Sequence, residues 1–172
     1  MLLLRCTRRV LDLFGEKPRQ VEVAEQNQGL GEWYVHIIDD LDDVFFLCVN
    51  AQSLYALIIA TEPAMFQSAA DLASAMLKRL LEHLHGLGFD EAVLSKVADD
   101  YEHVVIAKTA SRSVLGSMND LINHLCFWAG RQVREAGQLD RRAIEEKLNA
   151  MPQRPIGWAF AKDRLAELCS RR

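Results

Sequence analysis

The sequence predicts an α+β domain, a two-layer arrangement in which helices cover a mainly antiparallel sheet and the C-terminal part is helical. Three observations carry that expectation. Most of the strand-like runs fall before residue 61, and the long helical periodicities come after them instead of alternating strictly with strands. The runs Trp33–Ile38 and Val44–Val49 are rich in β-branched and aromatic residues, and the acidic insert Asp39–Asp43 joins them as a hairpin. Two apolar stripes, Ala69–Leu84 and Val114–Ala129, recur at helical spacing over lengths that strands do not reach.

Taken in order, Leu2–Cys6 reads as a short strand, and Thr7 caps a short helix through Phe14 that Gly15 ends. Residues 16–31 hold Pro18, two glycines and several Gln and Asn, an irregular connection with room for a strand at Val21–Ala24. Ser53–Ala60 is a third apolar run of strand length. The Val44–Val49 run is apolar on both faces, which suits a central strand under a covering layer. Thr61-Glu62-Pro63 breaks the pattern, and the first long helix ends at Gly86 and Gly88. Asp90 caps a short helix, His103–Ala107 returns to strand-like residues, and the second long helix runs to Gly137. Asp140 caps another helix that stops before Pro152 and Pro155, and Gly157–Cys169 reads as a last one. The expected organisation is a core over 1–135 with a helical extension over 136–172 packed on the same domain.

Composition bounds the function. At 172 residues, with half of them hydrophobic and a quarter charged, the chain is the size of one globular domain. No apolar run approaches the roughly 20 residues of a membrane span, and the start has too few apolar residues for a signal peptide, so a cytoplasmic location and no membrane partner are expected. Cys6, Cys48, Cys126 and Cys169 are far apart, with neither Cys-x-x-Cys nor zinc-ligand spacing, and read as free thiols. The net charge of −4 is uneven: 8 basic and 16 acidic residues over 1–100 give −8, while 12 basic and 8 acidic over 101–172 give +4. That polarity fits an anionic partner for the second half, or packing between subunits of a homo-oligomer.

The candidate site is Lys108–His124. Ser113, Ser117, Asp120, His124 and Arg131 share one arc of the second long helix, with Gly116, Asn119 and Asn123 beside it. A solvated face is ordinarily built from Lys, Glu, Gln and Arg; short polar groups of poor helix propensity are chosen where side chains have specific partners. Ser111 or Ser113 caps the helix, and Lys108 and Arg112 sit just before its free amides, where the macrodipole favours an anion. The candidate ligand-binding set is therefore Lys108, Arg112, Ser113, Ser117, Asn119, Asp120 and His124, with no catalytic residue, metal or cofactor assigned. The alternative is a strand-to-helix turn with Arg112 in a structural ion pair. A hydrolase triad of Ser117, Asp120 and His124 fails on geometry, because on one helix the Asp lies between the other two. Asp39, Asp40, Asp42 and Asp43 lack the spacing of a calcium loop and read as a turn. Glu32 and His36 are available to pair with the polar face if the helix packs near them.

Leu3–Thr7, Leu30–Tyr34, Phe46–Asn50, Lys108-Thr109 and, above all, Arg112–Asp120 (RSVLGSMND) together resemble a family of small bacterial proteins known only as a domain of unknown function. The resemblance spans about Leu2 to Leu125 and implies kinship without an activity; the segment from Ala136 onward stands as a terminal extension. The expected function is a non-enzymatic domain binding an anionic ligand or a protein partner. Two other readings stay open: a small hydrolase or transferase acting on a phosphorylated or acyl substrate through Ser113 or Ser117 with His124, Asp120 and Glu32 or His36, and a nucleic-acid-associated regulatory module.

Overall fold

A computed structural model describes residues 1–21, 29–39, 44–60, 66 and 68–171. The element order is β1 (Leu2–Cys6), α1 (Arg8–Phe14), β2 (Glu32–Ile38), β3 (Phe45–Asn50), β4 (Ala56–Ala60), α2 (Ala69–Gly86), α3 (Glu91–Asp100), β5 (Val104–Lys108), α4 (Arg112–Ala136) and α5 (Arg141–Asn149). A two-residue hairpin of β6 (Pro152–Gln153) and β7 (Ala159–Phe160) then leads into α6 (Ala161–Ser170). The expected strand at 21–24, the aspartates at 40, 42 and 43 and the break at 61–63 fall on or beside residues outside those described.

The α+β class and the helical C-terminal part hold. The sheet is mixed, in the order β4-β3-β2-β1-β5. β2, β3 and β4 form the expected antiparallel meander, whereas β1 pairs in parallel with both β2 and β5. The parallel half follows from its connections, since each return to β1's neighbours passes through helices and reverses the chain between strands. All five residues of β1 are buried, as a parallel strand covered on both faces requires.

Helices lie on both faces, making three layers where two were expected. Leu2, Leu4, Cys6, Trp33, Val35 and Phe46 pack one face against α1, α2, α3 and α6. Tyr34, Leu47, Val49 and Ile58 pack the other against α4 and α5. The two apolar stripes read from the sequence therefore cover opposite faces of the sheet. The third strand begins later than its apolar run because Asn50, fully buried, closes a turn: its Oδ1 accepts from Ser53 N (2.9 Å) and Ser53 Oγ (2.9 Å). Leu54 completes that turn at φ 56°, a conformation unfavourable for a branched residue.

The β4 edge is closed without another strand, and β5 receives one backbone hydrogen bond among the described residues. On β4, Asn149 of α5 accepts from Ala56 N and donates to Ala56 O, each at 2.8 Å, and Glu145 Oε2 accepts from Ile58 N at 2.7 Å. An i, i+4 pair on a helix thus takes the place of a neighbouring strand opposite an i, i+2 pair. On β5, Arg19 N donates to Ile106 O at 2.8 Å.

Candidate functional site

β1 and β5 are adjacent and parallel, with Cys6 opposite Lys108. The chain leaves β1 into α1 on one face of the sheet and leaves β5 into α4 on the other. Departures in opposite directions open a crevice beyond the carboxyl ends of the two strands, a topological switch point. A cleft of about 690 Å³ lies there, with Cys6 and Thr109 in its wall and a mixed charged lining of Arg8, Lys17 and Lys108 against Asp12 and Glu16. Burial pushes the Cys6 thiol up to about 12, so this wall offers a neutral thiol and not a thiolate.

The turn from β5 into α4 is held from beneath. Arg5 Nη1 donates to Lys108 O at 2.8 Å, and Arg5 Nε lies 2.5 Å from Glu32 Oε2. The Tyr34 hydroxyl accepts from Ser111 N at 2.8 Å and lies 3.4 Å from Glu32 Oε1. Burial pushes the Tyr34 phenol up, keeping it a neutral donor beside Glu32. Ser111 is the helix cap, its Oγ accepting from Val114 N at 3.3 Å. Three quoted sequence segments thus meet in one network: Leu3–Thr7 through Arg5, Leu30–Tyr34 through Glu32 and Tyr34, and Lys108-Thr109 through the Lys108 carbonyl.

Of the sequence-predicted residues, Lys108 lines the crevice, and Arg112 and Ser113 are exposed at the adjacent helix start. Ser117 is buried on the sheet side of α4. Asn119, Asp120 and His124 are exposed further along. His124 lies about 18 Å from Arg112 by helix rise, its ring 5.6 Å from that of Trp128. Of the candidate residues only Lys108 lines the crevice; Arg112 and Ser113 start α4 outside that lining, and Asn119, Asp120 and His124 lie farther along the helix. Glu32 is committed to Arg5 and Tyr34, and His36 Nδ1 lies 3.4 Å from Thr7 Oγ1.

A second polar cluster escaped the sequence reading. The Tyr55 hydroxyl is 2.5 Å from His83 Nδ1, and His83 Nε2 is 2.7 Å from Oε1 of Glu145, whose side chain is wholly buried. Arg79 Nη2 lies 3.3 Å from the same oxygen. Tyr55 comes from the residue before β4, Arg79 and His83 from one face of α2 at i, i+4, and Glu145 from α5, so no single segment of the sequence holds the cluster.

Among the described residues no helix is long and apolar enough to cross a membrane, and no cluster of His, Cys, Asp or Glu could hold a metal ion. A comparison with curated proteins finds no match. The family model described as Domain of unknown function (DUF6933) matches residues 3–164, and the chain belongs to that family.

Proposed function

We propose that the chain is a cytoplasmic, non-enzymatic ligand-binding domain that takes an anionic small molecule in the β1–β5 crevice. The observation that carries this reading is the switch point itself, because open sheets with parallel strands bind ligands beyond the carboxyl ends of those strands. Lys108 supplies charge from the crevice wall. Arg112, Ser113 and the uncapped first amides of α4 follow Lys108 and Thr109 in the chain and would supply further donors, where the helix dipole favours negative charge. The Arg5–Glu32–Tyr34 network preorganises this turn, lowering the cost of ordering it around a ligand. Asn119, Asp120 and His124 belong to the reading as the α4 segment that a larger ligand or a protein partner would meet, next to Phe127, which is 61% exposed, whereas Ser117 is buried and drops out of the binding set.

The test is an amide NMR titration of the full chain with a phosphate monoester. Shifts should concentrate on residues 6–8 and 108–113 and saturate, and replacing Lys108 and Arg112 together by Ala should weaken binding at least roughly tenfold while leaving the melting temperature unchanged. Absence of saturable shifts at those residues overturns the proposal.

A further inference from the structure

The groove between α2 and α5 runs over the Tyr55–His83–Glu145 cluster. Clefts of about 680 Å³ and 410 Å³ lie side by side there, with Glu82 and Arg142 in the walls of both. Their walls carry Lys78, Arg79, Arg141, Arg142 and Lys162. Fewer acids, Glu82, Asp140 and Glu146, oppose them.

Glu145 has more charge than closing the β4 edge requires. Asn149 satisfies Ala56 with a neutral amide, and a glutamine at 145 would accept from Ile58 N equally well. A buried carboxylate is costly unless its charge is matched. Its second oxygen has no aligned hydrogen bond and is instead met by His83 and Arg79 at ion-pair distance. With Glu145 ionised, a neutral His83 ring keeps its hydrogen on Nε2, the nitrogen 2.7 Å from that oxygen. In the neutral ring Nδ1 is then an acceptor, Tyr55 donates to it, and the phenol presents a lone pair to the groove. In the imidazolium both nitrogens donate. The Tyr55 oxygen then accepts from Nδ1, and its own proton turns toward the groove.

We propose that the α2–α5 groove is a second site, for a small oxyanion, in which protonation of His83 converts the Tyr55 hydroxyl from an acceptor into a donor. Lys162 and Arg142, the latter shared with Glu146 at 3.1 Å, attract the anion, Tyr55 hydrogen-bonds to it, and Glu145 balances the imidazolium. The charged groups around His83 are Arg79 and Glu82 on its own helix, Arg142, Glu145 and Glu146 on α5, and Lys162 on α6. Burial pushes the Tyr55 phenol up, so it keeps its proton in either state. The site is independent of the β1–β5 crevice.

Sulfate is the probe, because it does not titrate near neutral pH. Calorimetric titration of the full chain at constant ionic strength should give saturable binding that tightens roughly tenfold from about pH 8 to about pH 6, the range in which histidines gain their proton. Tyr55→Phe should keep the fold and remove most of that pH dependence, His83→Gln should do the same, and Arg142→Ala should weaken binding at every pH. Wild-type binding that is absent or independent of pH overturns the proposal. So does a pH dependence that survives Tyr55→Phe; if His83→Gln fails to fold, Tyr55→Phe alone decides.

Discussion

Asn149 offers a direct measure of what closing a sheet edge with side chains contributes. Asn149→Ala removes two hydrogen bonds of 2.8 Å and strands both the N–H and the C=O of Ala56, which is fully buried. A buried polar group left without a partner costs about 1–3 kcal/mol. Asn149 borders the α2–α5 groove, where entering water would meet part of that demand, and alanine recovers about 0.5 kcal/mol of helix propensity. The net loss should be about 2–3 kcal/mol. For a chain of this length that corresponds to a fall of roughly 5–10 °C in melting temperature. Urea unfolding gives the free energy, and hydrogen exchange at the Ala56 amide reports the edge itself. Protection of that amide should drop selectively, with β2 and β3 amides retaining theirs. A loss below about 0.5 kcal/mol with Ala56 still protected would refute the reasoning that α5 substitutes for a strand.

Four further expectations can be checked with ordinary methods. Arg5→Ala should cost about 3–5 kcal/mol in urea unfolding because it abandons the nearly buried Glu32, whereas the exposed Arg112→Ala should change stability by less than about 0.5 kcal/mol. Asn119→Ala, on the exposed face of α4, should be neutral or stabilising by up to about 0.5 kcal/mol in thermal melts of the free protein. Iodoacetamide near pH 8, followed by peptide mass spectrometry, should label Cys126 first and leave the buried Cys6, Cys48 and Cys169 unmodified until the chain unfolds. The Arg9 guanidinium, hydrogen-bonded to Asp39, holds that carboxyl below its ordinary range, so the pair's contribution is present above the unfolded carboxylate pKa and is lost as pH falls through the folded value. A carboxyl NMR titration should show Asp39 moving back up in Arg9→Ala.

The meander β2-β3-β4 and the two long helices were legible because each announces itself locally. Trp33–Ile38 and Val44–Val49 are strand-like within themselves, and Leu72–Leu84 and Val114–Trp128 carry their period on the page. Caps were legible for the same reason: Asp90 and Asp140 both accept from an amide three residues on. Strand order was not, because β1 finds β5 across about 100 residues and no local pattern records that choice. Arg5 did leave a signal, a lone cation inside Leu2–Cys6, and a charge in a buried strand demands a partner; Glu32 meets that demand. Tyr55, His83 and Glu145 left none, since each is unexceptional beside its own neighbours. The polar choice along α4 was visible, but its meaning divides: Ser111 caps the helix and Ser117 packs inward, while Asn119, Asp120 and His124 face outward.

The closing of β4 by α5 sets an order in time. Ala56 and Ile58 wait for partners 93 and 87 residues further along the chain. At synthesis rates of about 5–20 residues per second, that separation is roughly 4–19 s during which β4 has emerged and its partner has not. Through that interval the meander presents an open, apolar strand to every neighbouring nascent chain. A codon change that slows translation between residues 60 and 145 should therefore lower the yield of native protein without altering a single residue of it, and a chaperone that shields extended segments should restore that yield.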